Sequence, residues 1–266
     1  TFDEISDIMI KQDSGSEKTV SYLSGIADTE LTFEDFPSLI YDGPYSDNIL
    51  NKSSEMLEES AEISRDEARK IAAEIIGTEE KFLAEEEDTA GKTAAFCFRN
   101  DTYSVSVTKA GGYPLSLISD ITVTQTSLTQ ADAVEKASLF LGQIGFPDMV
   151  STYAATDDGI CTVNFAYKTG SFICHPDLIK VQVALSDGKI TGFDASDYIM
   201  NHRKRDIPAF TFTPEDAAEG IVSSLDIQEI SAAVIPTESG TEYFTYELLC
   251  EGEDGQHILI YKDILT

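Results

Sequence analysis

Three histidines, four cysteines and 48 carboxylates are the side chains of this 266-residue chain that could act on a substrate or hold a metal. A hydrolase built on imidazole needs that ring in a fixed relation to a nucleophile or to further metal ligands. His175, His202 and His257 are widely separated, and neither a Gly-x-Ser-x-Gly nor a His-Glu-x-x-His pattern accompanies them. His257 alternates with Leu259 and Tyr261 in a strand-like run, and His175 precedes Pro176, so both read as structural. Two carboxylates could hydrolyse a glycan, but with 48 acids any one pairing is uninformative. Asp157-Asp158-Gly159 and Glu251-Gly252-Glu253-Asp254-Gly255 offer oxygens to calcium. Neither has the spacing of a calcium loop, and both fall where hairpin turns are expected. There is no Cys-x-x-Cys pair, Gly-x-Gly-x-x-Gly or phosphate loop. The expectation is a chain with no catalytic residues, no metal and no cofactor.

Cys97, Cys161 and Cys250 lie in strand-like runs, while Cys161 and Cys174 flank the turn Lys168-Thr169-Gly170-Ser171. Pairing Tyr167 with Phe172 would set Phe165, rather than Cys161, opposite Cys174. Four buried thiols are therefore expected in place of a hairpin disulfide.

The formal charge of -30, from 48 acids against 18 bases, repels nucleic acid and anionic membrane surfaces. Residues 1–60 carry 14 acids and 3 bases and residues 208–266 carry 12 and 1, whereas residues 126–207 carry 10 and 7. Against that background His202-Arg203-Lys204-Arg205 is the one dense basic cluster. It is expected to be an exposed link that pairs with acids of residues 215–229, or else a contact for a partner. No stretch approaches the roughly 18 apolar residues of a spanning helix. A chain that starts at Thr1 is expected to be a portion of an exported protein whose anchor lies outside it.

The elements that would position these groups announce themselves three times. Ser64-Arg65-Asp66-Glu67-Ala68, Thr129-Gln130-Ala131-Asp132-Ala133 and Thr213-Pro214-Glu215-Asp216-Ala217 each place a hydroxyl four residues before an alanine, with an acid just ahead of it. The hydroxyl caps a helix start, the acid suits its positive end, and Pro214 fits the first helical position. Ala68, Ile71, Ala72 and Ile75 then form one apolar stripe, ended by Gly77; Val134, Ala137 and Leu141 form another, and Ala217 and Ile221 a third. Strand-like runs follow each helix: 93–99, 102–108 and 113–124; 152–156, 160–167, 178–186 and 189–195; 232–235, 242–249 and 257–264. Asp187-Gly188 is a hairpin signal. The fold class is α+β, a helix on a small antiparallel sheet used in tandem, with modules at 61–126, 127–208 and 209–266. Residues 1–60 are expected to hold helices near 2–10 and 17–27 and a pinned aromatic loop.

That loop, Phe36-Pro37-Ser38-Leu39-Ile40-Tyr41-Asp42-Gly43-Pro44-Tyr45, is one of several blocks that carry a resemblance. With Gly111-Gly112-Tyr113-Pro114-Leu115, the run Pro176 to Leu185, Tyr198-Ile199-Met200-Asn201-His202, and Ile235-Pro236-Thr237-Glu238 with Tyr246-Glu247, it resembles the YpeB family of spore germination proteins, in order over roughly residues 33–262. The resemblance implies PepSY-type modules after a mainly helical N-terminal region. It implies an extracytoplasmic location at the spore inner membrane or cortex, held by an anchor outside this chain. It also implies a non-enzymatic role in which the partner is the cortex-lytic enzyme SleB, stabilised, localised or restrained by protein contacts. The alternatives are a PepSY-type inhibitor of peptidases without a germination role and, from another class, a carboxylate-dependent glycan hydrolase.

Overall fold

A computed structural model describes residues 10–12 and 53–264, apart from 124, 211–212, 222–223, 238–240 and 254. The helices expected near 2–10 and 17–27 and the loop Phe36–Tyr45 lie outside the described residues, except that Ile10 is extended. It belongs to strand β1 (Ile10–Gln12). The chain divides into two compact units, one of Leu39–Arg205 with Pro236–Thr241, the other of Thr1–Ser38, Asp206–Ile235 and Glu242–Thr266.

In the first unit a short helix α1 (Glu55–Glu58) leads to α2 (Arg65–Ile76), which is followed by β2 (Ala84–Glu85), β3 (Ala95–Arg99), β4 (Tyr103–Thr108) and β5 (Pro114–Ser119). The scheme then repeats with α3 (Gln130–Gln143), β6 (Met149–Asp157), β7 (Ile160–Thr169), β8 (Phe172–Ala184) and β9 (Ile190–Asp194), and closes on α4 (Ser196–Asn201). Both major helices start as the sequence requires: Ser64 with Glu67, and Thr129 with Asp132, make complete capping boxes. Gly77 ends α2 in the left-handed conformation at φ 66°, where Thr78 N–H reaches back to the carbonyl of Ala73 at 2.9 Å.

The strands run β6-β7-β8-β9-β5-β4-β3-β2, antiparallel at every step. Because β5 pairs with β9, through Ser116 with Asp194 and Leu117 with Phe193, the two helix-and-sheet modules share one sheet. Ala68 and Ala72 of α2 and Ala133 and Ala137 of α3 are fully buried, letting both helices lie close to it. Phe140 of α3 meets Phe193 of β9 edge-on, with ring centroids 5.7 Å apart. The α2 stripe splits, however. Its alanines face the sheet, while Ile71 and Ile75 are only half-buried on its flank.

The second unit is smaller. Strands β10 (Asp226–Pro236), β11 (Glu242–Glu251) and β12 (His257–Asp263) follow a helix α5 (Pro214–Ala218), and β1 pairs with the far edge of β12. Thr213 and Asp216 form a third capping box. Only five residues are helical, because Gly220 turns at φ 82° and leaves Ile221 beyond the helix rather than on its inner face. Ala233, Ile235 and Tyr261 form one buried cluster of this unit, and Val234, Leu248, Cys250 and Ile264 are buried as well.

The register around the cysteines differs from the expected one. Gly170, at φ 58°, allows a two-residue turn, so Thr169 pairs with Phe172 and Tyr167, not Phe165, stands opposite Cys174. Cys161 pairs with Val183, far along the hairpin. All four cysteines are buried thiols, and burial raises the pKa of Cys161 and of Cys250. Titration of the denatured, unreduced protein is expected to count four thiols, with slow labelling of the native state; two or fewer would mean that a disulfide forms.

Candidate functional site

The site begins with a proline in a strand. Sequence reading expects this strand to begin near Leu178, but β8 starts six residues earlier and carries Pro176 within it. Tyr167 of β7 pairs with Cys174, and the next pair is Ala166 with Leu178, so His175, Pro176 and Asp177 bulge out of the ladder. Proline cannot donate to a neighbouring strand and is tolerated at such a bulge. The bulge turns Asp177 inward, where its side chain is 0% exposed.

A carboxylate there is tolerable only if it is paired and fully hydrogen-bonded. Arg205 supplies both bonds of a bidentate pair, Nη1 donating to Oδ2 at 2.8 Å and Nη2 to Oδ1 at 2.6 Å. His202 Nδ1 stands 2.7 Å from the same Oδ2. An ionised carboxylate can only accept, which puts the ring hydrogen on Nδ1. Helix α4 holds these groups in place. Asn201 Nδ2 donates to the carbonyls of Pro176 (3.1 Å) and Asp197 (3.0 Å), tying the helix end to the bulge.

From His202 the packing continues into aromatic rings. Its imidazole stacks on Tyr198 at 4.4 Å and meets Tyr167 edge-on at 4.7 Å, and Tyr198 in turn meets Phe146 edge-on at 5.1 Å. Burial, followed by the nearby Asp177 charge, raises the Tyr198 pKa. The outer surface of Tyr198 and Phe146 is the floor of a cleft of about 430 Å³, walled by α1, α2, the end of α3 and the Gly112-Tyr113-Pro114 turn. That turn needs its glycine: at φ 68°, a Cβ on Gly112 would stand 3.0 Å from the Cδ1 atoms of Ile63 and Ile71. Tyr113 is pinned through its hydroxyl, 3.0 Å from Ser60 Oγ.

A second ionic group lies at the start of α4. Lys180 of β8 is 5% exposed and pairs across the strands with Asp194 of β9. Burial pushes its pKa down, against the pull of Asp194 and Asp197. Asp197, in the first turn of α4, is pushed up to about 7 by burial and by the Asp194 charge, with Lys180 opposing.

Of the basic cluster singled out by sequence, His202 and Arg205 meet at Asp177. Arg203 approaches Glu55 at 3.8 Å, and Lys204 is exposed. The expectation of an exposed link therefore fails for Arg205, whose side chain is 3% exposed, because the Asp177 carboxylate requires a buried partner. Asp177, Lys180, Asp194 and Asp197 were not singled out as site residues. The available signal was Pro176-Asp177 at the head of an apolar run, since a proline and an acid there call for a bulge and a counter-ion. His175 sits in the bulge and His257 opens β12, both half-buried. Among the described residues, no group of three or more His, Cys, Asp or Glu side chains could hold a metal ion.

The family model for YpeB sporulation, PepSY1 and PepSY2 domains, matches residues 23–208. The chain belongs to the YpeB sporulation family. Sporulation protein YpeB of Oceanobacillus iheyensis is 26% identical over 219 residues, covering 76% of this chain and 49% of the relative. Sporulation protein YpeB of Bacillus subtilis is 29% identical over 203 residues, covering 71% and 44%. The chain thus spans about half the length of these YpeB relatives. The solved Bacillus megaterium YpeB C-terminal domain superposes with a TM-score of 0.68 at 25% identity, covering 76% of this chain and 93% of that one. Three of the blocks that carry the YpeB resemblance, at Gly111–Leu115, Pro176–Leu185 and Tyr198–His202, meet in space around the cleft and its support.

Asp177→Ala is expected to destabilise by about 3–5 kcal/mol in urea unfolding, because it leaves the Arg205 charge buried and unpaired. Replacing both Asp177 and Arg205 by apolar residues of similar volume should cost much less. For Asp197, the folded carboxyl keeps its proton to about 7 while the unfolded one releases it near 3.8, so the folded state binds more protons between those values. Stability from this group therefore falls as pH rises from 4 to 7. Asp197→Asn should flatten that part of the curve of unfolding midpoint against pH; an unchanged slope would assign it to other groups.

Proposed function

We propose that this chain is a non-enzymatic holding module that stabilises, localises or restrains the spore cortex-lytic enzyme SleB through protein contacts. It would do so outside the cytoplasm, at the spore inner membrane or cortex, held there by an anchor beyond this chain. The observation that carries the reading is the convergence of two family-like blocks on a cleft with an aromatic floor, and of a third on the support beneath it. The chemistry of its support agrees. Asp177 lies beneath that aromatic floor, linked to Tyr198 through His202, and Arg205 already holds its charge in a bidentate pair. His202 is packed between Asp177 and two tyrosines, an arrangement that fastens Tyr198. Recognition through shape and apolar contact needs a rigid floor, and this network supplies one.

Purified chain and SleB mixed at micromolar concentration are expected to co-elute in size-exclusion chromatography. The chain alone, incubated with cortex peptidoglycan, is expected to release no reducing sugar. Separate elution at tens of micromolar would defeat the holding reading, and sugar release abolished by a carboxylate variant would replace it with glycan hydrolysis.

A further inference from the structure

We propose that the cleft beside Tyr198 takes a partner-protein segment that presents a bulky apolar side chain flanked by basic residues. Its biological sense rests on the holding function proposed above, while its content comes from the cleft itself. The volume of about 430 Å³ falls within the range of roughly 300–1,000 Å³ typical of built binding sites. Met56, Ile71, Ile75 and Ile144 line it with half-exposed side chains, over the floor of Phe146 and Tyr198. A sugar or nucleotide needs several convergent donors and acceptors. The polar side chains here are few: Glu74 and Gln143 at the wall, with the Tyr113 hydroxyl already engaged by Ser60. An aliphatic or aromatic side chain gains from such a lining by leaving water.

The sign of the flanking residues follows from the charges at the rim. Among the described residues, Glu74 is the one charged side chain that lines the cleft. Helix α1, which supplies Met56, also carries Glu55, with Glu59 just past its end, both exposed. Arg203 approaches Glu55, and Lys70 precedes Glu74 by one turn of α2, so the rim stays net acidic. An acidic segment would meet like charge on two walls, and a basic one would be drawn to both. The overall charge of -30 adds long-range attraction of the same sign.

The test uses the whole chain with methyl labels and three capped peptides: Lys-Lys-Leu-Phe-Lys, Glu-Glu-Leu-Phe-Glu and Lys-Lys-Ser-Ser-Lys. The first is expected to shift the methyl resonances of Met56, Ile71, Ile75 and Ile144, to bind at least tenfold more tightly than either of the others, and to weaken with salt. Glu74→Lys, an exposed change that should leave the melting temperature in place, is expected to cost the first peptide at least fivefold; Ile144→Ala should weaken it without altering the charge preference. Equal binding of the acidic peptide, shifts mapping elsewhere, or no shift at millimolar peptide would overturn the proposal. So would contacts in the free chain between these methyls and Phe36, Tyr41 or Tyr45, or a dimer in sedimentation that Glu74→Lys dissolves, since either gives the cleft another occupant. SleB binding that survives Glu74→Lys combined with Ile144→Ala would remove the cleft proposal and leave the holding reading. Peptide binding at the cleft without SleB binding would do the reverse.

Discussion

The bidentate pair between Asp177 and Arg205 is the contact on which the arrangement around the cleft depends. It joins a bulge near the start of β8 to the segment leaving α4, residues separated by 28 positions, and both side chains are almost wholly out of water. Neither group could occupy that place alone. A buried ion pair contributes little net stability compared with an apolar pair of the same shape, but losing one partner is costly, so it selects one geometry strongly. Here the selected geometry fixes where α4 ends, and hence where Tyr198 and His202 lie.

The same logic explains how the chain path after β9 is fixed at its polar end. Asn201 bonds the bulge carbonyl of Pro176, which the ladder leaves available, and His202 shares the Asp177 oxygen that Arg205 already holds. The Pro176 carbonyl and the Asp177 carboxylate, both turned out of the ladder by the bulge, therefore find partners on one short helix and its exit. On the outer side, stacked rings carry that rigidity to Phe146 at the end of α3. The cleft is formed by the fit of two modules. Joining β5 to β9 brings the flank of α2 and the end of α3 to face each other, with the Gly111-Gly112 turn between them.

Charge is distributed in keeping with this. The strongly acidic segments are 1–60 and 208–266, whereas two of the seven bases of residues 126–207 are buried in ionic contacts. Lys180 is buried against Asp194 and Asp197, and Arg205 against Asp177. The other bases that the structure describes lie largely at the surface, but 48 acids outnumber 18 bases so far that the net charge is -30. That charge favours basic partners and keeps copies of the chain apart.

By itself the sequence determined the repeated α+β plan. Capping boxes at Ser64, Thr129 and Thr213, the left-handed stop at Gly77 and the alternating strands are local signals, each set by residues within one turn or one hairpin. It also contained the blocks that mark the YpeB family. What it could not state was the β5–β9 junction, the true hairpin register or the fate of Arg205. The register depended on whether Gly170 would adopt positive φ, which shifted the pairing of every residue after the turn. Arg205 read as surface charge because its counter-ion is remote in sequence, and helix α4 passed unnoticed because its six residues lack a side-chain cap. Tertiary structure decided these points, since burial of a charge and the end of a short helix are settled by partners that only the folded chain brings within bonding distance.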